Sequence, residues 1–332
     1  MISNLALITV SAGRGIRIAH TGDLGWAVET VLSNEDVRSI AVHPVDPNRW
    51  FAGTQGNGLF ETRDGGASWS SAGLEGKIIK SVTVAPNAIY AGTKPAKVYA
   101  SNDGGQTWRE REEFMQIPGR RLWWSPAESP GTAYVQSLAV SPNDPSVLLA
   151  GIEFGAVVRT MDAGETWSRH LKGSLRDCHT MKFHATDGSW AYEAGGTGGG
   201  ASVSTDGGVT WTKVKDGLDR HYGVACAADP DDPNVWYVSV SPGPGKAHSI
   251  GNAQGYLFRT RTQGPWERMT GGLPQPLDSM PYGLATVPGR PGLVIGALKN
   301  GRVWASEDQG ESWEQLSVEL GPIGLGLLVL AD

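Results

Sequence analysis

Short apolar runs recur along the whole chain, and each is followed by a turn rich in proline, aspartate or glycine. Five first runs of this kind align with one another: VRSIAV, IKSVTV, VQSLAV, YGVACA and YGLATV. After a turn such as HPVDPN or SPNDPS a second apolar run follows, as in RWFAGT, VLLAGI and VWYVSV. Short apolar runs separated by turn residues, with no helical period, predict an all-β fold.

A repeated motif marks the end of the third run in each unit. The pattern [ST]-x-D-x-G-x-[ST]-W occurs as TRDGGASW, SNDGGQTW, TMDAGETW, STDGGVTW and SEDQGESW, and two degenerate copies end at Trp26 and Trp266. An active site is needed once, whereas a motif repeated along the chain indicates a structural unit. We therefore expect the five aspartates to accept backbone hydrogen bonds in turns, namely Asp64, Asp103, Asp162, Asp206 and Asp308.

The spacing of the motifs predicts the architecture. Successive motif tryptophans lie 39 to 59 residues apart, which suits propeller blades of about 40 to 50 residues: Trp26, Trp69, Trp108, Trp167, Trp211, Trp266 and Trp313. The segment before Trp26 and the segment after Trp313 together have the length of one blade, so we expect one blade to be split between the two ends of the chain. The sequence thus predicts one domain over residues 1–332, a seven-bladed β-propeller closed by the C-terminal strand joining the N-terminal blade.

With these motifs the chain resembles the Asp-box (BNR-repeat) β-propellers over nearly its whole length. That family includes sialidases, the Vps10 domain of sortilin, two-domain xyloglucanases, a photosystem II assembly factor and bacterial proteins loosely called glycosyl hydrolases. The resemblance implies the fold but says little about function. The chain departs from the sialidases, because it carries Arg17-Ile18-Ala19 where they have Arg-Ile-Pro, and from the xyloglucanases, because it encodes one propeller.

Composition argues against several classes of partner. The net charge of −6 and the lack of Lys/Arg runs disfavour nucleic acid and anionic membranes. No apolar stretch reaches the roughly 18 residues of a membrane helix, and the N-terminus lacks the pattern of a signal peptide. The two cysteines, Cys178 and Cys226, are predicted on strands too far out of register for a disulfide. These features predict a cytoplasmic protein.

Ionisable and aromatic side chains gather where the first strands begin. Alignment places seven residues at one equivalent position near the mouth of the central channel: Arg38, Lys80, Gln136, His179, Tyr222, Tyr282 and Ile323. The ends of the second strands add Lys94 and Glu153, with Asp177, Glu193 and His221 close by. Two insertions, 109–134 and 241–254, fall on the same face, opposite the repeated turns. We therefore expect the ligand site on this face.

These residues predict two kinds of chemistry. Arg38, Lys80 and Lys94 would form a basic sector for a carboxylate or phosphate, and four aromatic residues would contact a sugar or ring: Tyr222, Tyr282, Trp123 and Trp124. The candidate catalytic residues for acid–base work are Glu153, Asp177, His179, Glu193 and His221. A divalent metal is an option at Glu153, His179, Glu193 and His221. Solvated ion pairs at the rim, and a lid that packs its own tryptophans, are the structural alternatives.

The predicted function is that of a hydrolase or lyase acting on a carbohydrate-like or acidic small molecule at the channel mouth. The alternative is a non-enzymatic propeller that binds a ligand or serves as an assembly scaffold. The density of charged and aromatic groups at the channel mouth favours a small-molecule pocket over a flat protein-binding surface. The sequence specifies no cofactor beyond the optional divalent metal.

Overall fold

The computed structural model describes residues 5–22, 25–196, 199–261 and 263–331. These residues form seven antiparallel sheets, which are the blades of a seven-bladed β-propeller. Blade 1 contains β1 (Leu5–Val10), β2 (Ile16–Gly22), β3 (Gly25–Val31) and the last strand, β28 (Leu328–Ala331). Strand β28 is innermost and pairs with β1, with Leu5 opposite Ala331 and Leu7 opposite Val329. The predicted closure of the ring is therefore confirmed.

The other six blades follow in chain order, each beginning at the channel. Blades 2 and 3 contain β4 (Val37–His43), β5 (Asp46–Thr54), β6 (Leu59–Thr62), β7 (Ser70–Ser71), β8 (Ile78–Ala85), β9 (Ala88–Lys94), β10 (Val98–Ser101) and β11 (Arg109–Glu110). Blades 4 and 5 contain β12 (Val135–Val140), β13 (Leu148–Ile152), β14 (Val157–Thr160), β15 (Cys178–Phe183), β16 (Ala191–Gly195), β17 (Ala201–Ser204) and β18 (Thr212–Lys213). Blades 6 and 7 contain β19 (Tyr222–Ala228), β20 (Val235–Ser241), β21 (Ile250–Arg261), β22 (Trp266–Arg268), β23 (Leu277–Ser279), β24 (Pro281–Val287), β25 (Arg290–Leu298), β26 (Arg302–Ser306) and β27 (Glu314–Glu319).

The insertions carry the helical segments found in the described ranges. Insertion 109–134 holds two short 3-10 helices, Glu112–Gln116 and Arg120–Leu122, and segment 241–254 holds the single turn α1 (Pro244–Ala247). No helix in the described part of the chain is long and apolar enough to span a membrane. Cys178 and Cys226 are buried and unbridged, which confirms the prediction that they form no disulfide.

Blade 4 differs from the predicted four-stranded pattern. Three strands are found among its described residues. The outer backbone amides of β14 are bound by side chains instead of by a fourth strand, since Arg159 N donates to Ser168 Oγ at 2.8 Å and Val157 N donates to His170 Nδ1 at 3.2 Å. Side-chain acceptors here replace the carbonyls of a strand ladder.

The inner strands share a β-bulge near their first residue. In five blades one inner-strand residue has no partner on the second strand: Arg38, Lys80, Gln136, His179 and Tyr282. An extra residue bends the strand and redirects a side chain. All five side chains line cavities at the propeller axis. Five of the seven residues aligned in the sequence therefore occupy a recurring bulge, whereas Tyr222 pairs with Ser241 and Ile323 bridges Ser11.

The repeated turn uses its polar groups internally. In the copy around Asp206, Ser204 Oγ donates to Asp206 Oδ1 at 2.8 Å, and that same oxygen accepts from Thr210 N at 2.8 Å. The Trp211 indole donates to the carbonyl of Gly208 at 3.2 Å. The same carboxylate contacts recur at Asp64, Asp103, Asp162 and Asp308. The aspartates therefore act as turn acceptors, as expected.

Candidate functional site

A cavity of about 650 Å³ opens at the channel mouth, and we call it the mouth cavity. It is lined by the beginnings of the inner strands of blades 4 to 6, by residues 126–128 of the first insertion and by residues 242–248 of the second. A narrower space of about 360 Å³ continues along the axis between the inner strands. Both insertions thus contribute to one concave site, on the face that the sequence predicted.

Glu153, Asp177 and His179 converge in the wall of the mouth cavity. Glu153 directly follows β13, Asp177 directly precedes β15, and His179 is the bulged residue of β15. His179 Nε2 lies 3.8 Å from Glu153 Oε2 and 3.8 Å from Asp177 Oδ1. One ligand atom from each residue lies within 4.8 Å of the other two. We call these three residues the acidic–histidine centre.

The hydrogen bond of His179 fixes which ring nitrogen faces the carboxyl groups. Nδ1 lies 2.6 Å from the carbonyl oxygen of Gly223, which can only accept, so Nδ1 carries the proton. The lone pair of Nε2 then points toward Glu153 and Asp177. Burial lowers the pKa of His179 despite the nearby charge of Asp177, so the imidazole is neutral at physiological pH.

Glu153 is buried without a hydrogen-bond donor. Its relative exposure is 5%, and none of the described residues donates a hydrogen bond to its carboxylate. Burial, followed by the charge of Asp177, raises the pKa of Glu153 to about 8. A buried carboxyl beside a second one is costly unless a cation or a proton neutralises it. Two carboxylates and an imidazole lone pair are suitable ligands for a divalent metal ion.

A chain of hydrogen bonds joins Tyr222, His248 and Tyr282 beside the acidic–histidine centre. The Tyr222 hydroxyl lies 2.9 Å from His248 Nε2, and His248 Nδ1 lies 2.7 Å from the Tyr282 hydroxyl. The rings of Tyr222 and His179 are 5.0 Å apart. His248 follows α1 and was not among the predicted site residues. Its position on a Gly/Pro-rich insertion is the only signal in the sequence, because no local motif includes it.

The predicted basic sector is already paired within the protein. Lys80 Nζ donates to Glu128 Oε1 at 2.6 Å, and Lys94 Nζ lies 3.3 Å from Glu128 Oε2. Glu128 comes from the first insertion. Arg38 pairs with Asp36 at 2.9 Å and lines the axial space rather than the mouth cavity. The positive charge at this side of the channel is therefore largely neutralised.

The structure separates Glu193 and His221 from the acidic–histidine centre. Glu193 lies in the middle of β16, fully buried, where its Oε2 accepts from Leu175 N at 2.9 Å and from Ser202 Oγ at 2.6 Å. It does not line the mouth cavity, whereas His221 does. The cluster found among the described residues joins Glu153 and His179 with Asp177 instead.

The four predicted aromatic residues occupy four different places. Tyr222 lines the mouth cavity, and Tyr282 lies behind His248 and lines the axial space. Trp123 packs against Phe114, with ring centroids 5.9 Å apart, and lines a neighbouring cavity. Trp124 is 58% exposed and lies outside the mouth cavity. The insertion tryptophans thus lie beside this cavity rather than in it.

Comparison with known proteins shows the same fold. No protein-family model and no curated protein sequence matches the chain. An ancestral GH74 enzyme has a TM-score of 0.61 at 17% identity, over 84% of this chain and 38% of its own. The GH74 xyloglucanase of Xanthomonas campestris has a TM-score of 0.61 at 21% identity, over 93% of this chain and 46% of its own. YCF48 bound to D1 peptide has a TM-score of 0.56 at 18% identity, over 85% of this chain and 80% of its own.

This chain thus spans less than half of these two GH74 enzymes and most of YCF48. At such identities the likeness shows the propeller fold alone.

Proposed function

We propose that the mouth cavity is the active site of a metal-assisted hydrolase or lyase acting on a carbohydrate-like or acidic small molecule. The observation that carries this proposal is the convergence of Glu153, Asp177 and His179 in the wall of an open cavity. Perturbed, buried ionisable groups in a cleft are typical of catalytic sites. The GH74 enzymes that share this fold are glycoside hydrolases by name, which is compatible with the proposal.

The spacing favours an ion over a glycosidase carboxyl pair. In glycosidases the two carboxyl groups flank the cleaved bond at about 5 to 9 Å. Here an oxygen of Glu153 lies within 4.8 Å of an oxygen of Asp177, and His179 Nε2 lies 3.8 Å from an oxygen of each carboxyl group. Ligand atoms bound at about 2.1 Å to one ion lie about 3 to 4 Å apart. The space among the three side chains therefore suits a single ion better than a glycosidic bond.

The protein would supply three ligands and a wall that orients them. The Gly223 carbonyl holds His179 in the tautomer that binds a metal through Nε2. Three protein ligands leave coordination positions open toward the mouth cavity for water or a substrate oxygen. A divalent ion bound there would acidify a water molecule or polarise a substrate oxygen. Tyr222 and His248, which also line the mouth cavity, could hold substrate hydroxyl groups.

Metal binding gives the direct test. The purified, dialysed protein would be assayed by mass spectrometry for bound metal, and chelator-treated protein would be titrated with Mn²⁺ and Zn²⁺ by calorimetry. We expect about one equivalent to bind, and His179→Gln or Glu153→Gln to weaken binding at least tenfold. His221→Gln is the matched control, since His221 lines the same cavity outside the centre. Unchanged affinity in His179→Gln would refute the proposed ligand set.

Turnover gives the second test. Protein reconstituted with Mn²⁺ or Zn²⁺ would be incubated with neutral and acidic glycosides and with sugar acids. Hydrolysis would be followed by the released sugar, and elimination by the absorbance of the new conjugated double bond. The proposal requires turnover of at least one compound, abolished by chelator and by Glu153→Gln.

A non-enzymatic binding propeller is the second candidate. One argument for it is the likeness to YCF48 bound to D1 peptide, since the match covers 80% of the YCF48 chain. The other is that two apolar residues of the first insertion are exposed, Leu122 at 86% and Trp124 at 58%. With the D1 peptide as a fluorescent probe, this alternative predicts binding that Trp124→Ser weakens and that chelator leaves unchanged. Metal-dependent turnover without peptide binding would exclude it.

We further infer that the chain is a single-domain Asp-box propeller that works in the cytoplasm. Five turns with the same side-chain hydrogen bonds support the family assignment, and seven blades within 332 residues support one domain. The unbridged cysteines support a reducing compartment. Fractionation of the native host, with detection by antibody, would test the location.

A further inference from the structure

A second cavity, of about 690 Å³, adjoins the mouth cavity, and we call it the side cavity. Phe154 and Asp177 line both, so the two cavities meet beside the acidic–histidine centre. The remaining walls come from residues 118–123 of the first insertion, from residues 169–176 between blades 4 and 5, and from Lys213 of β18. A molecule bound in the side cavity could therefore reach the centre.

Three cations of the side cavity form no ion pair with any described residue. Arg169, Arg176 and Lys213 line this cavity, and none of them has a carboxylate oxygen within 4.0 Å among the residues that the structure describes. Among the described residues that line the side cavity, Asp177 is the only acidic one. It also lines the mouth cavity and thus lies where the two cavities meet.

The cations beside the mouth cavity contrast with this arrangement. Lys80 and Lys94 share Glu128, and Arg220 pairs with Asp219 at 2.8 Å. Arg169, Arg176 and Lys213 are exposed to solvent and form no ion pair with a described residue, so their charges are available to a ligand.

His170 also lines the side cavity, beside Arg176 and Lys213. Its Nδ1 accepts a hydrogen bond from Val157 N, so the ring proton lies on Nε2 and the neutral ring can donate. Burial, followed by the charges of Arg176 and Lys213, lowers the pKa of His170 to about 4. The two charged groups that lower this pKa are both cations.

The wall formed by the first insertion is apolar. Pro118, Leu122 and Trp123 line it, and Trp123 is held edge-on by Phe114 at 5.9 Å. An indole beside unpaired cations suits a molecule that combines a ring with a negatively charged group.

We propose that the side cavity binds the anionic group of the substrate, a carboxylate or a phosphate, while the reacting end lies at the acidic–histidine centre. The position of the reacting end rests on the proposed function, whereas anion binding rests on the side cavity alone. The substrate class is then an acidic, ring-containing molecule, such as an acidic sugar, that extends past Phe154 from one cavity to the other.

Three matched probes test this assignment: glucose, glucuronate and glucose 6-phosphate. Their binding would be measured by calorimetry at low ionic strength to the wild-type protein, to the double variant Arg176→Gln/Lys213→Gln and to Lys172→Gln. Lys172 is the matched control, because it is an exposed cation on the same connection that does not line the side cavity. All three substituted side chains are exposed, and the melting temperature would verify that each variant folds.

We expect at least one charged sugar to bind tenfold or more tightly than glucose, and the double variant to lose that preference. The control should stay within twofold, and added salt should weaken the binding. Tighter binding of glucuronate would identify the anionic group as a carboxylate, and tighter binding of glucose 6-phosphate would identify it as a phosphate. No preference over glucose, or an equal loss in Lys172→Gln, would overturn the proposal.

A parallel Mn²⁺ titration separates this proposal from the proposed function. Intact Mn²⁺ binding without anion preference would overturn the side-cavity assignment alone. The opposite result is a protein that binds no metal but prefers anions, with the preference lost in Arg176→Gln/Lys213→Gln. That result would overturn the metal-assisted mechanism alone.

Discussion

Glu128 accepts a hydrogen bond from Lys80 across 48 positions of sequence, with 2.6 Å between Oε1 and Nζ. The same carboxylate lies 3.3 Å from Lys94 Nζ. Both lysines are nearly buried, and Lys80 also lies 4.5 Å from the Tyr134 ring centroid. The Glu128 carboxylate therefore neutralises the charges of two buried lysines and binds the first insertion to the inner strands of blade 3.

We expect Glu128→Gln to lower the free energy of unfolding by about 2 kcal/mol at pH 7, because two buried lysines lose their counter-ion. Burial raises the pKa of Glu128, but the hydrogen bonds and charges of Lys80 and Lys94 outweigh it and leave the pKa lowered. This stabilisation is present above the unfolded pKa of about 4.3 and is lost as pH falls through the lower folded value. Urea denaturation at pH 7 and pH 3 would measure it.

Glu113→Gln is the control for this prediction, since Glu113 lies exposed on the same insertion and has no ion pair among the described residues. A Glu128→Gln variant as stable as wild type at pH 7 would show that the lysines do not need the pair.

The repeated turn should contribute to stability without affecting the cavities. In Asp206→Ala the amide of Thr210 loses its acceptor, and we expect a loss of about 1 kcal/mol in unfolding free energy. Mn²⁺ affinity should stay within twofold of wild type, because the turn lies on the opposite face. Asp216→Ala is the control, because Asp216 is an exposed loop aspartate whose carboxylate accepts no hydrogen bond from a described residue. A loss of Mn²⁺ binding in Asp206→Ala would contradict the division between the two faces.

The ring and its closure could be predicted because each blade repeats the same pattern of apolar runs and turns. A strand that is ambiguous in one blade can therefore be assigned from the equivalent strand in another. The bulged position at the channel mouth could also be located in the sequence, since polar side chains recur there in aligned strands. The ion pair of Lys80 with Glu128 could not be predicted, because Glu128 lies in an irregular insertion without periodicity.

Glu193 shows a second limit of the sequence. Strands between blades are buried on both faces, so alternation cannot tell a cavity-facing side chain from one that faces a neighbouring blade. Glu193 lies opposite Met181 in the middle of β16, two residues before the strand ends, and is therefore enclosed. Glu153, just beyond the end of β13, reaches the mouth cavity.

The position of His248 should depend on its two tyrosine partners. Loss of either hydroxyl removes one hydrogen bond, worth about 1 kcal/mol. We therefore expect Tyr222→Phe or Tyr282→Phe to speed amide hydrogen exchange in residues 245–249 about fivefold, measured by mass spectrometry. Tyr256→Phe is the control, because no hydrogen bond to the Tyr256 hydroxyl is found in the described ranges. Unchanged exchange in both variants would mean that the remaining contacts, among them Lys299 Nζ with the His248 carbonyl, are sufficient to hold α1.

Glu193 should act as a buried structural carboxyl rather than as a ligand. Burial raises its pKa to about 7, against hydrogen bonds from Ser202 and Leu175, whereas the unfolded value is about 4.3. The folded state then holds an extra proton between these values, so its contribution to stability falls as pH rises through this window. Glu193→Gln keeps the shape and an acceptor but cannot ionise.

We therefore expect Glu193→Gln to match wild type at pH 4 and to be about 2 kcal/mol more stable at pH 8, by urea denaturation. Glu193→Ala, which leaves the Leu175 amide without its acceptor, should be less stable at both pH values. Neither variant should change Mn²⁺ affinity, because Glu193 lies outside the mouth cavity. A Glu193→Gln variant that loses Mn²⁺ binding would instead make Glu193 part of the metal site.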